Sequence, residues 1–155
     1  DQFIALQSAN ASVASKENSR TTGNTSHLAK GDYRTSTTWR VAFQHVPNLL
    51  ARAAALLGVG NIARFEDPQL VRYSPGQFFR YHFDSVKRKA NGGFRLATLL
   101  VYLNDVPVGG RTVFNLLRAG SVDRDGDPLP LAVQPKKGNA VLFFPVAKSG
   151  APDRR

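Results

Sequence analysis

Residues 69–146 read QLVRYSPGQFFRYHFDSVKRKANGGFRLATLLVYLNDVPVGGRTVFNLLRAGSVDRDGDPLPLAVQPKKGNAVLFFPV, and the fold turns on how this stretch divides. Its β-branched and aromatic runs predict strands at Gln69–Tyr73, Phe78–Phe83, Leu96–Leu103, Thr112–Leu116, Leu131–Gln134 and Ala140–Val146. Between them Pro75-Gly76, Asn91-Gly92-Gly93, Gly109-Gly110 and Lys137-Gly138-Asn139 supply the turn residues expected between antiparallel neighbours. Upstream, the pattern is helical from Pro47 to Leu57: Pro47 suits a first helical position, and Leu49, Leu50, Ala53, Ala54 and Leu57 form one apolar stripe. Gly58 can end that helix. A helix followed by six closely spaced strands predicts a mainly β fold with flanking helices, two sheets packed as a sandwich.

Two motifs in this region are decoys. Gly58-Val-Gly60-Asn-Ile-Ala63 has the spacing of a dinucleotide-binding loop but follows a helix, where that motif requires a preceding strand. Asp123-Arg-Asp125-Gly-Asp127 opens like a calcium loop, yet its sixth position is Pro128 and its twelfth Gln134, where Gly and Glu are needed. It reads as a solvated excursion between two strands.

The N-terminal third says less. Phe3, Ile4 and Leu6 fit the tail of a helix, and the polar run from Ala11 to Asp32 reads as a mobile loop. The acceptor tripeptides at Asn10 and Asn24 matter only in a secretory compartment.

Composition narrows the chemistry. The 155 residues are 42% hydrophobic and 21% charged, as in one globular domain. No apolar run approaches the length of a bilayer span, and no leader pattern is visible. Cysteine is absent, which excludes disulfides, thiolate catalysis and zinc-thiolate sites, so any metal must be held by His and carboxylate. The net charge of +10 favours acidic partners through long-range attraction. Its clusters, Lys87-Arg88-Lys89, Lys136-Lys137 and Arg154-Arg155, are scattered, and this argues for solvated surface and against a nucleic-acid footprint. The chain opens at Asp1 and has no Met; it is expected to be a piece of a longer protein.

His82-Phe83-Asp84 is the candidate metal pair. At the end of an extended run, side chains two apart project to one side, so an imidazole and a carboxylate can sit next to each other on one ion. Such a pair is two thirds of the facial triad that binds non-haem Fe(II) and leaves the opposite face for substrates. With 3 His in the chain, a His-x-Asp arises by accident about one time in six. The alternative is a strand-end His hydrogen-bonded to its neighbouring carboxylate.

Context decides between them. Arg34-Thr-Ser36, Gln69-Leu-Val-Arg-Tyr73-Ser-Pro-Gly-Gln77, His82-Phe-Asp84, Arg95-Leu-Ala-Thr-Leu-Leu-Val-Tyr102-Leu-Asn-Asp105, Gly109-Gly-Arg-Thr112-Val-Phe114 and Pro135-Lys-Lys-Gly138-Asn-Ala-Val-Leu-Phe-Phe144 follow in order. Over roughly residues 34 to 146 the chain resembles the prolyl 4-hydroxylases, a family of 2-oxoglutarate- and Fe(II)-dependent dioxygenases. The resemblance implies a double-stranded β-helix, a jelly-roll or cupin-like core, with iron at its open end. It implies one dioxygenase domain across residues 1–155, truncated at both ends. The activity implied is hydroxylation of peptidyl proline to 4-hydroxyproline, with O2 and 2-oxoglutarate consumed and succinate and CO2 released. Fe(II), 2-oxoglutarate as co-substrate and ascorbate are the implied cofactors, and a proline-containing peptide is the implied partner. The oligomeric state and the compartment stay open, although the family points to the endoplasmic reticulum and secretory pathway.

Residue by residue, the resemblance makes His82 and Asp84 iron ligands and catalytic residues. Tyr73 matches a tyrosine that hydrogen-bonds the co-substrate, and Thr112 a threonine lining the same pocket. Tyr102 either faces the co-substrate or is a core tyrosine with a satisfied hydroxyl. Arg95 either grips the peptide near the reacting proline, as a guanidinium with fixed donors can, or is a surface arginine at a strand start. The Arg34-Thr-Ser36 block shapes the substrate side.

Three positions depart from the family. Phe79 stands where a tyrosine is frequent, Arg111 replaces Glu in the Gly-Gly-Glu-Thr block, and Asn115 replaces the following Pro. A second iron His and a Lys for the distal carboxylate of 2-oxoglutarate are expected beyond Arg155; His27 and His45 lie in the wrong blocks to substitute. Two other readings therefore stay open: an Fe(II)/2-oxoglutarate oxygenase with a different substrate, and a non-catalytic jelly-roll binding module lacking a complete metal site.

Overall fold

The computed structural model describes residues 14–18, 33–85 and 93–153. Expectations for residues 1–9, for Asn10, Asn24 and His27, and for the basic clusters Lys87-Arg88-Lys89 and Arg154-Arg155 fall outside these residues. The chain divides into two compact units, Asp1–Arg80 and Tyr81–Arg155.

Among the described residues the first unit is a three-stranded antiparallel sheet with one α-helix. Its strands are β1 (Ala14–Asn18), β2 (Thr37–Val41) and β3 (Gln69–Arg72), with β2 in the centre. Two of them correct the sequence reading. β1 lies inside the run expected to be a mobile loop, and β2, next to the Arg34-Thr-Ser36 block, is not among the six predicted strands. β1 has little strand propensity of its own; it is extended because it pairs along β2, from Ala14 opposite Val41 to Asn18 opposite Thr37. β3 pairs on the other side of β2, with Leu70 opposite Trp39.

The helix α1 spans Pro47–Leu57, as expected from its stripe. Leu50 and Ala53 of that stripe are buried, together with Val41, Val46 and Leu70, while Leu56 is 62% exposed. Pro47 needs no N–H partner at the first helical position. At the other end Gly58 takes φ 63°, ψ 28° and donates its N–H back to Ala54 and Ala55. A Cβ built on Gly58 would meet no atom within 4 Å, so the cost of Gly58→Ala is backbone strain alone. That variant is expected to lose about 1–2 kcal/mol, measured by urea denaturation, with no change in folded-state spectra.

After β3 the chain does not form the strand expected over Phe78–Phe83. Only Phe79 pairs, in an isolated bridge with Arg34. Thr35 ties this crossing on both sides, its N–H donating to the Phe78 carbonyl at 2.9 Å and its hydroxyl oxygen accepting from the Phe78 N–H at 2.9 Å. Arg34 lies over the Phe79 ring, 4.6 Å from its centroid, and Tyr33 meets the same ring edge-on at 5.4 Å. Phe79 thus offers a ring face to a guanidinium and carries no hydroxyl.

The second unit contains two antiparallel pairs. β4 (Thr98–Val101) pairs with β7 (Ala140–Phe143), and β5 (Thr112–Val122) with β6 (Pro128–Val133). All four lie in or across predicted strands, with shifted ends. β5 runs six residues past its predicted end at Leu116, and β6 opens with Pro128. The extra length of β5 is taken up by register shifts between Phe114 and Arg118 and between Arg118 and Val122. Asp123–Asp127 is the turn between these strands, as expected: Asp123 Oδ1 accepts from the N–H groups of Asp125 and Asp127. Between the two pairs, Phe114 and Phe143 meet edge-on with ring centroids 5.2 Å apart. With mostly strands and one α-helix among the described residues, the architecture agrees with the expected mainly β class. Among the described residues no helix is long and apolar enough to cross a membrane.

Candidate metal centre

His82 and Asp84 open the second unit on irregular backbone, outside any strand. The premise that strand alternation aims them together is therefore corrected, but the side chains do converge. His82 Nε2 is 3.0 Å from Asp84 Oδ1, and the two side chains are 28% and 15% exposed. With the proton on Nε2 this spacing is a hydrogen bond. With the proton on Nδ1, the Nε2 lone pair and Oδ1 can share a cation. Two donors each about 2.0–2.2 Å from one ion and at right angles are about 3.0 Å apart, so the pair has the spacing of two adjacent ligands. An imidazole nitrogen and a carboxylate oxygen are also the donor types that non-haem Fe(II) takes. Among the described residues no group of three or more His, Cys, Asp or Glu converges as a complete cage.

The carboxylate is supported from its other side. Thr98 Oγ1, at the start of β4, donates to Asp84 Oδ2 at 2.8 Å. The Arg95 guanidinium reaches the same oxygen at 3.9 Å, which is charge proximity and too long for a hydrogen bond. Burial pushes the Asp84 carboxyl up, but hydrogen bonds from His82 and Thr98 and the charges of His82 and Arg95 outweigh it. The net effect holds the group below its ordinary value, so at neutral pH it is the anion that metal ligation requires.

Tyr102 and Thr112, both candidates for the co-substrate pocket, are brought together. Tyr102 is buried at 9% exposure, and its hydroxyl donates to Thr112 Oγ1 at 2.8 Å. The phenol therefore has a protein partner, as a core tyrosine requires. Thr112, having accepted this proton, keeps its own O–H to give. Tyr73 belongs to the first unit, directly after β3, and is 45% exposed.

Arg111, the departure from Glu, has a local role. Its Nε donates to Gln134 Oε1 at 2.8 Å, and the Gln134 amide donates to the carbonyls of Val106 and Gly109. One side chain at the end of β6 thereby fastens the loop that leads into Thr112. Asp105 adds a second tie by accepting the Lys137 N–H at 2.9 Å.

Sequence reasoning passed over Thr98. It stands in the quoted Arg95–Asp105 block, but nothing local marks it as the partner of a carboxylate fourteen residues earlier.

Comparison with known proteins accords with this geometry. The family model described as 2OG-Fe(II) oxygenase superfamily matches residues 68–150. The chain is 42% identical over 100 residues to Prolyl 4-hydroxylase 2 of Arabidopsis thaliana, covering 57% of this chain and 33% of that protein. It is 40% identical over 100 residues to Probable prolyl 4-hydroxylase 4 of the same plant, covering 57% and 34%. It is 30% identical over 139 residues to Prolyl 4-hydroxylase subunit alpha-1 of Rattus norvegicus, covering 83% and 24%. The chain thus spans about a third of the length of the plant relatives and about a quarter of the rat one. With more than half of its residues inside the family match, the chain belongs to the 2OG-Fe(II) oxygenase superfamily.

Proposed function

We propose that this chain carries the catalytic core of a peptidyl-proline 4-hydroxylase, with His82 and Asp84 as two of its iron ligands. The observation that carries the reading is the 3.0 Å approach of His82 Nε2 to Asp84 Oδ1, within a stretch matched to an Fe(II) oxygenase family and to relatives named prolyl 4-hydroxylase. On this reading the two units belong to one domain with a jelly-roll core, and ascorbate keeps the iron reduced.

Fe(II), when bound with 2-oxoglutarate, would activate O2, the oxidant, so that one oxygen atom enters an unreactive C–H bond and the other enters the succinate formed as 2-oxoglutarate loses CO2. The protein's part is positional. His82 must present a neutral Nε2, which places its proton on Nδ1. Asp84 offers Oδ1 while Thr98 and Arg95 occupy the side of Oδ2. Tyr73 and Thr112 are proposed to hydrogen-bond the co-substrate, Thr112 with the hydroxyl proton that its bond from Tyr102 leaves available. Tyr102 acts through Thr112 by fixing where that hydroxyl points. Arg95 is proposed to bind the peptide at the edge of the centre; a guanidinium 3.9 Å from Asp84 lies close enough to link a peptide carbonyl to the reacting site.

The test is incubation of the full-length protein with a proline-rich peptide, Fe(II), 2-oxoglutarate and ascorbate in air, followed by mass spectrometry. The expected result is a gain of one oxygen on proline, dependent on 2-oxoglutarate and matched by succinate. Succinate without peptide oxidation would move the substrate elsewhere. Absence of both, in folded protein that binds no Fe(II), would leave a binding module.

A further inference from the structure

We propose that Thr98 is a positioning residue that decides which oxygen of Asp84 meets the metal. The inference rests on reading His82 and Asp84 as ligands. A carboxylate can bind a cation through either oxygen or through both, and the terminal torsion of Asp has only a broad two-fold preference. Something outside the side chain must choose. In this structure the two oxygens are not equivalent: Oδ2 accepts the Thr98 hydroxyl at 2.8 Å, while Oδ1 faces His82 Nε2 at 3.0 Å. Thr98 thus leaves one oxygen committed to the protein and the other directed toward the imidazole.

Thr98 is well mounted for this task. It is the first residue of β4 and is held in register opposite Phe143 of β7. As a β-branched residue it has restricted side-chain rotation, so its hydroxyl is presented from a fixed strand end. Arg95 approaches the same oxygen but at 3.9 Å, where it contributes charge and little direction. Outer partners of this kind set the orientation and basicity of metal ligands.

The decisive comparison is Thr98→Val, which keeps the shape and removes the hydroxyl, against Thr98→Ser, which keeps the hydroxyl and removes the methyl. Mn(II) serves as the probe, titrated into the full-length protein and followed by the electron paramagnetic resonance signal of the free ion. Mn(II) affinity is expected to fall about 10–100-fold in Thr98→Val and to stay within about threefold of the parent in Thr98→Ser. The spectrum of bound Co(II) should shift in the valine variant alone. Parent-like affinity in Thr98→Val would overturn the proposal, as would equal losses in both variants, which would indicate a packing role. A folded parent that binds no Mn(II) would instead remove the ligand reading itself. The two failures are thereby told apart.

Discussion

On the proposed hydroxylase reading, Asp84→Asn is expected to reduce proline hydroxylation by the full-length protein more than about 100-fold, beyond the range in which outer-shell substitutions fall. The substitution is nearly isosteric, and an amide oxygen can still accept the Thr98 hydroxyl that Asp84 Oδ2 now accepts at 2.8 Å. What it removes is the negative charge and an anionic oxygen facing His82. A divalent cation at this place is favoured by both, and a neutral amide supplies neither. Loss of Fe(II) affinity should accompany loss of turnover, read by calorimetric titration and by succinate release, while the thermal transition stays close to the parent's. Asp84→Asn with undiminished Fe(II) affinity would show that the carboxylate is no ligand, and His82→Gln should behave in the same way on the nitrogen side.

Leu70→Ala is expected to be the most costly core substitution, at about 2–5 kcal/mol. Leu70 is 3% exposed and lies on β3, an outer strand of the three-stranded sheet, opposite Trp39 of the central β2. Truncation removes apolar surface from a small core and leaves a void that a strand paired along its length cannot readily close. Domains of this size have about 5–15 kcal/mol in hand, so much of the margin would be lost. Chemical denaturation measures it, and Leu56→Ala on the exposed side of α1 is the control, expected to change stability by no more than about 0.5 kcal/mol. Similar losses at the two positions would mean that the burial assigned to Leu70 is wrong.

What could be read from the residues alone was what is decided locally. Helix α1 announces itself through Pro47, its stripe and Gly58, all within twelve residues, and it lies where expected. The Asp123–Asp127 turn is likewise a matter of neighbouring residues. The misreadings come from pairing. Ala14–Asn18 carries Lys, Glu and Asn and becomes a strand only because β2 offers it an edge. Phe78–Phe83 has aromatic residues enough for a strand, yet among the described residues its ladder pairing is confined to the isolated bridge of Phe79 with Arg34. Propensity for strands reflects the surface a segment packs on as much as the segment itself.

The same division holds at the candidate centre. His82 and Asp84 could be named because their types and spacing carry the chemistry, and they do converge, although not by the strand geometry from which convergence was argued. Thr98, which orients the carboxylate, is invisible as a motif because its contact depends on the folded chain. Arg95 could be picked out as a cation, but not as one lying beside Asp84.

The β5 and β6 ribbon has one further consequence. A proline has no N–H to give to a ladder, and Pro128 and Pro130 lie in β6 in register with Val122 and Arg118, so neither nitrogen can serve a strand added to the border of β6 away from β5. An incoming strand from another molecule would find that border lacking two of the amides it must bond. Exposed two-stranded ribbons are ordinarily templates for self-association; here the imino acids blunt that border against such pairing.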